Sequence, residues 1–351
     1  MFINTLRCGS WLSHFNIASR LCVVGIATLA IGAGCSRGAD SSFKVALLTP
    51  GPISDAGWNA GAYEGLLRIR DSLDAKISHV ETRTPAEFEE AFRDYARRGY
   101  RLVFGHGFEF QDAAARVGAD YPNTVFITTS GSTVRPNVSP MVFELEEGTY
   151  LAGMLAGGMT RSGRIGFIGG IKLPPVEGTF LGYQGGARAL RPGVEVLQAY
   201  LGNFEDVAAA KENALAQIRR GADFLLHNAD AASFGMFQAV RESPGVLALG
   251  ANKDQNAVAP DVILASATLD VPHALLMVAR RVKQGDWRPG VLFLGIRDGV
   301  VDLAINPQLA SRVPPALRAR IGAARDSIVA GTLRVPRVEF VADSVPVAAG
   351  R

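Results

Sequence analysis

From Phe43 to about Ala304 the chain alternates short apolar runs with longer segments of helical periodicity, in two successive blocks. Few folds tolerate that rhythm. Strands that are continuously apolar are buried on both faces, and helices between them force parallel pairing with crossovers. In the first block Lys44–Thr49, Ile77–Glu81, Leu102–Gly105 and Val125–Thr129 read as strands. Between them Ala60–Arg70, Pro85–Arg98 and Gln111–Asp120 carry apolar residues at helical spacing. Pro136–Pro140 breaks the pattern and reads as a crossover.

The second block restarts with helix Glu147–Met159 and strand Arg164–Gly169. A helix at Phe180–Ala189, strands Glu195–Tyr200 and Ala222–His227 around helix Val207–Arg220, helix Ala232–Glu242 and strand Val246–Gly250 follow. Two blocks of one architecture predict two similar lobes. Residues 43–135 are expected to form the N-terminal lobe, completed by about 268–288. Residues 140–267 are expected to form the C-terminal lobe, completed by about 290–306. Helix Pro272–Lys283 and a strand pair within Val291–Ile305 stitch the lobes together, and 307–351 is a helical segment with a tail.

The start of the chain has another character. Arg7 and Arg20 precede an apolar run, Leu21–Gly34, that ends on Cys35. Its 14 residues fall short of the roughly 20 that a spanning helix needs, so residues 1–34 read as a secretory signal. Ending on Cys rather than Ala resembles a lipoprotein signal, with Cys35 acylated as the first mature residue and residues 35–42 as a polar tether. The expected location is the cell envelope, lipid-anchored to a bacterial membrane and facing the periplasm or exterior. Cys8 and Cys22 lie within the leader, so the mature part holds no disulfide framework, Cys-ligated zinc or second thiol. The formal charge of +3 falls to near +1 without the leader, no footprint for nucleic acid.

A two-lobed α/β protein binds ligands at the carboxyl ends of its strands. The first junction, Thr49–Asn59, brings Asp55, Trp58 and Asn59 together: a flat apolar face beside a carboxylate and a carboxamide, suited to a ring with a polar edge. Asp55 also reads as a helix cap and Trp58 as lobe core. Gly105-His-Gly107-Phe108 lacks the dinucleotide spacing and reads first as a tight turn. Phe237 is a candidate second aromatic wall or core. Asn252 and Asp254, where a strand meets a loop, are candidates for binding hydroxyls. Arg297 reads as a turn or a ligand clamp, and Ser130 ends a strand. The five histidines show no metal spacing, and no nucleophile elbow occurs, so the sequence predicts neither metal, cofactor nor catalytic residue.

Several motifs in order resemble the basic membrane protein family of bacterial lipoproteins, of the purine nucleoside receptor type. They are Ser54-Asp55-Ala-Gly-Trp58-Asn59, Gly105-His-Gly107-Phe108, Phe143 to Gly153, Ile165 to Gly170, Gly182 to Gly186, and Asp254-Gln255-Asn256 before Ala259-Pro260-Asp261. The resemblance implies a periplasmic-binding-protein type I fold, each lobe a mostly parallel sheet flanked by helices, closing on a small ligand. It implies a non-enzymatic solute-binding protein of an ABC importer that delivers a nucleoside-like ligand to a permease. Trp58 and Phe237 would sandwich the base while acids and amides hold the ribose. Ser130 and Asn252 stand where the family commonly has Asp, and Arg297 where it often has Lys, which leaves a different polar ring, a sugar included, open. A sensory receptor and a nucleoside hydrolase are the other readings.

Overall fold

The computed structural model describes residues 42–55 and 57–339; Cys35 and the leader lie outside the described residues. Strands β1 (Lys44–Thr49), β2 (Lys76–Glu81), β3 (Leu102–Gly105), β4 (Val125–Thr129) and β5 (Val138–Phe143) alternate with helices α1 (Trp58–Leu73), α2 (Pro85–Arg97) and α3 (Gln111–Gly118). Helix α4 (Leu145–Met159) opens the second run: β6 (Arg164–Gly169), α5 (Pro174–Leu190), β7 (Glu195–Tyr200), α6 (Val207–Arg219), β8 (Phe224–Asn228), α7 (Ser233–Arg241), β9 (Leu247–Asn252) and β10 (Ile263–Leu269). Helix α8 (Val271–Gln284), β11 (Leu292–Leu294), β12 (Val301–Ile305) and α9 (Pro315–Val329) complete it.

These strands form two six-stranded sheets, ordered β11-β5-β4-β3-β1-β2 and β12-β10-β9-β8-β6-β7. All ladders in the first are parallel, and in the second only β12 runs antiparallel, against β10. The chain passes between sheets three times: from β5 into α4, from β10 into α8, and from β11 to β12. Lobes joined by three crossovers move by a hinge and have their strand ends facing each other.

Three expectations need correction. The stretch at Pro136–Pro140 includes the start of β5, not only a crossover. Pro140 is tolerated because β11 pairs with β5 only from Met141 onward, so no strand lies on that edge at the proline. The late strands do not pair with each other: β11 joins β5 in the first sheet and β12 joins β10 in the second. Strand β10 has no counterpart in the periodicity reading. It is buried almost throughout, and its middle, residues 265–268, is small where α4 packs on it; a Cβ on Gly148 would sit 3.4 Å from Ala267 Cβ.

Helix α4 leaves the hinge and lies directly against α5. A Cβ on Gly153 would come within 2.1 Å of the Tyr183 carbonyl oxygen, and one on Gly186 within 1.8 Å of that of Tyr150. Only glycine permits so close a backbone approach. This seam fixes the first crossover to the second lobe.

Candidate functional site

A cavity lies between the carboxyl ends of the two sheets. The first lobe contributes Pro50, Trp58, Gly107, Phe108, Glu109 and Ser130. Phe143 and Leu145 come from the first crossover, and Leu269 ends β10. Leu173, Val176, Phe204, Asn228, Asp230 and Asn252 come from the second lobe. The lobes are closed on one another. Arg83 Nη1 reaches Glu205 Oε1 at 3.1 Å, and Lys253 is paired with Glu64, each an ion pair between lobes.

Trp58 is a fixed plate. It stacks on His106 with centroids 3.9 Å apart and planes 21° from parallel, and Phe143 meets its edge at 5.7 Å. Trp58 Nε1 donates to the His106 carbonyl at 3.3 Å, while His106 Nε2 lies 3.0 Å from the Trp58 carbonyl and Nδ1 3.0 Å from Thr129 Oγ1. Burial pushes the His106 imidazole down to about 3, so it stays neutral and serves as backing for the indole.

Asp55 caps α1. Its Oδ1 accepts from Gly57 N at 3.0 Å and Ala60 N at 2.9 Å, and its Oδ2 accepts from Asn59 N at 2.7 Å. Three donors that a helix start leaves open are thereby satisfied. Asp55 and Asn59 line a second chamber nearer the mouth, sharing Glu109 and Asp230 with the first. The buried Asn59 Oδ1 has no hydrogen-bond partner and is a candidate acceptor for a ligand.

The polar side belongs to the second lobe. Asn252 Nδ2 donates to Asn228 Oδ1 and to Asp230 Oδ1, both at 3.2 Å. Burial, then the charge of Asp55, raise the Asp230 carboxyl well above its ordinary range, and burial raises Glu109. Such acids hold a proton more readily and then act as hydrogen-bond donors. Among the described residues four non-glycines have positive φ, and three of them line this cavity: Ser130 at 82°, Asp230 at 43° and Asn252 at 69°. Backbone held in that region is characteristic of functional sites. No lysine or arginine is among the described residues lining this inner cavity, while Arg83 lines the second chamber, paired with Glu81 and Glu205.

Several expected residues lie elsewhere. Phe237 is 3% exposed in the core beneath α7, edge-on to the His227 ring at 5.3 Å, and does not line the cavity; Phe204, in the loop after β7, stands on that side instead. Asp254 is exposed and accepts from Asn256 N at 3.0 Å, closing a turn. Arg297 is exposed behind the hinge, where its Nε donates to the Val329 carbonyl at 2.9 Å. The reading from sequence missed Phe204, Asn228, Asp230, Glu109, Leu173 and Val176. Phe204, Asn228 and Asp230 follow the carboxyl ends of β7 and β8, where the strand-end rule points.

Fold and cavity together define a two-lobed binding protein that encloses a small ligand at its hinge. The pattern of the Bmp family, described as PnrA-like ABC transporter substrate-binding proteins, matches residues 42–333, and the chain belongs to that family. Basic membrane protein A2 of Borrelia garinii subsp. bavariensis is 27% identical over 302 residues, covering 84% of this chain and 88% of the relative. A solute-binding protein of an ABC transporter system from Aeropyrum pernix K1 superposes with a TM-score of 0.78 at 20% identity, over 85% of this chain and 94% of that one. A transcriptional activator of the comK gene from Bacillus halodurans superposes with a TM-score of 0.72 at 26% identity, over 84% and 100%.

Proposed function

We propose that this substrate-binding protein takes up a purine nucleoside, or a similar uncharged ring compound with a polar edge, and passes it to an ABC permease. It does so from the outer side of a membrane, tethered by a lipid on Cys35. The observation that carries the reading is the pairing of an apolar plate, Trp58 on His106, with the Asn228–Asn252–Asp230 cluster across the cavity. Stacking is worth about 0.5–1.5 kcal/mol beyond area burial, and amides and carboxyls hold ring nitrogens and hydroxyls. The inner cavity has no cation in its described lining, and Arg83 of the outer chamber is already paired with Glu81 and Glu205, which disfavours phosphate esters.

Native mass spectrometry with nucleosides, free bases, hexoses and nucleoside monophosphates tests this. Retention of an intact nucleoside, with the monophosphate rejected, is the expected result. Preference for a hexose would replace the nucleoside with a sugar, and release of free base would make the protein a hydrolase. The likeness to the comK activator favours a second reading, in which the closed form is read by a signalling partner. Uptake measured after deletion of the gene separates the two, because a sensor leaves uptake capacity intact when the transporter is expressed independently.

A further inference from the structure

Side chains on the first crossover alternate between two cavities. Phe143 and Leu145 line the ligand cavity, whereas Glu144 and Glu146 line a separate cavity on the far face of the hinge, with Glu147, Arg297 and Asp298. That far cavity is lined on one side by residues of the segment Leu333–Glu339, which follows α9 and extends past the last residue matched by the family pattern.

This segment is seated, not loose. Leu333 and Val335 pack on the main core, and both backbone amides at Thr332 and Leu333 donate to the Ser327 carbonyl. On the second lobe, Pro336 lies over α5, where a Cβ on Gly185 would come within 2.9 Å of its ring. At the hinge, Arg337 Nη1 donates to Glu144 Oε1 at 3.1 Å. A small cleft next to Arg337 and Val338 is lined by Val142 and Phe293, from the first sheet. The segment therefore rests on the second lobe and the crossover and faces the edge of the first lobe across that cleft.

We propose that residues 333–339 are a strap behind the hinge that holds the lobes closed and sets how readily they open. The argument is geometric. In a rotation about the crossovers, opening the cleft in front brings the lobes together behind. A strap wedged behind the hinge in the closed form is squeezed by opening and opposes it. Its removal shifts the balance toward the open form without touching the ligand cavity.

The test uses the full chain with keto-reactive nitroxides on unnatural residues at exposed Arg97 and Arg219, one per lobe, read by pulsed electron resonance without ligand. Two variants lift the strap independently: Arg337→Ala removes its hinge contact, and Gly185→Val displaces Pro336 from α5. Hydrogen exchange across 333–339 reports whether the strap has left its seat, and circular dichroism that the fold is intact. The expected result is fast exchange in the strap with the closed-distance population lowered about threefold or more in both variants. A strap that stays protected in both overturns the anchoring contacts. A released strap with an unchanged distance distribution, or with a more closed one, overturns the latch.

Discussion

The two lobes share one architecture but bring different chemistry to the cavity. The first lobe supplies a plate made rigid from behind: Trp58 is held by a stacked, neutral His106 and by reciprocal hydrogen bonds with its backbone. The second lobe supplies a hydrogen-bonded set of Asn228, Asp230 and Asn252, two of whose backbones sit at positive φ. A preformed plate costs little conformational entropy when a ring lands on it, so it favours affinity. Buried amides and acids penalise any ligand that leaves them unpaired, so they favour discrimination. Division of labour between lobes also makes closure informative, because only a ligand touching both completes the site.

The sharpest way to break that comparison is through the two phenylalanines of the second lobe. Phe237→Ala should cost about 3–5 kcal/mol of stability, as for a large side chain cut from a core, while the folded fraction binds ligand unchanged. Phe204→Ala should leave stability nearly intact and weaken binding about tenfold, equivalent to about 1.4 kcal/mol. Denaturant melts paired with titration calorimetry read both. Loss of affinity in the folded Phe237 variant would restore it to the site. On the first lobe, Trp58→Ala should weaken binding about 100-fold, near 2.7 kcal/mol, with only a small drop in melting temperature. Unfolding of that variant would make the indole a core residue and leave the first lobe without its plate.

Much of this was legible before the structure, and the misses have physical causes. Continuous apolar strands and regular helices announced two parallel sheets, because burial on both faces leaves no polar alternation to confuse the pattern. The cluster at Asp55, Trp58 and Asn59 stood out because three polar or aromatic residues crowd one strand end. Phe234 and Phe237 lie three apart on one short helix, and only packing decides that Phe234 is exposed and Phe237 buried. Asp55 was a cap as well as a candidate ligand, and the helix took all three of its bonds. Arg297 was misplaced because β11 and β12, adjacent in sequence, belong to different lobes, which carries the turn between them behind the hinge.

The hinge offers a smaller effect that separates the far face from the cleft. Burial pushes the Glu146 carboxyl up to about 8 and that of Glu147 up to about 7, both also under the charge of Glu144. The folded chain therefore holds protons that the unfolded chain releases near pH 4.5. Stability from these groups is fully present below that pH and is lost as pH rises toward 8. Glu146→Gln should raise the melting temperature by about 2–4 °C at pH 8 and by less than about 1 °C at pH 4. A gain that is equal at both pH values would mean that Glu146 titrates in the folded chain as it does in the unfolded one, and that burial does not raise it.

The smallest expected effect concerns the ion pairs that join the lobes at the lips of the cleft. Arg83–Glu205 and Glu64–Lys253 are formed by side chains about half exposed, apart from the more sheltered Lys253, so water and salt screen them. Each is worth about 0.2–1 kcal/mol. Because the partners come from different lobes, that energy is available only when the cleft is shut, and it adds to apparent affinity and not to the fold of either lobe. Lys253→Ala with Arg83→Ala should weaken ligand binding about two- to fivefold at low ionic strength. The difference from the parent should vanish near 1 M salt, where the screening length is about 3 Å. Melting of the ligand-free protein should hardly move. A loss of affinity that persists in high salt would instead place these side chains in direct contact with the ligand, and the lips would then belong to the site, not to the clasp around it.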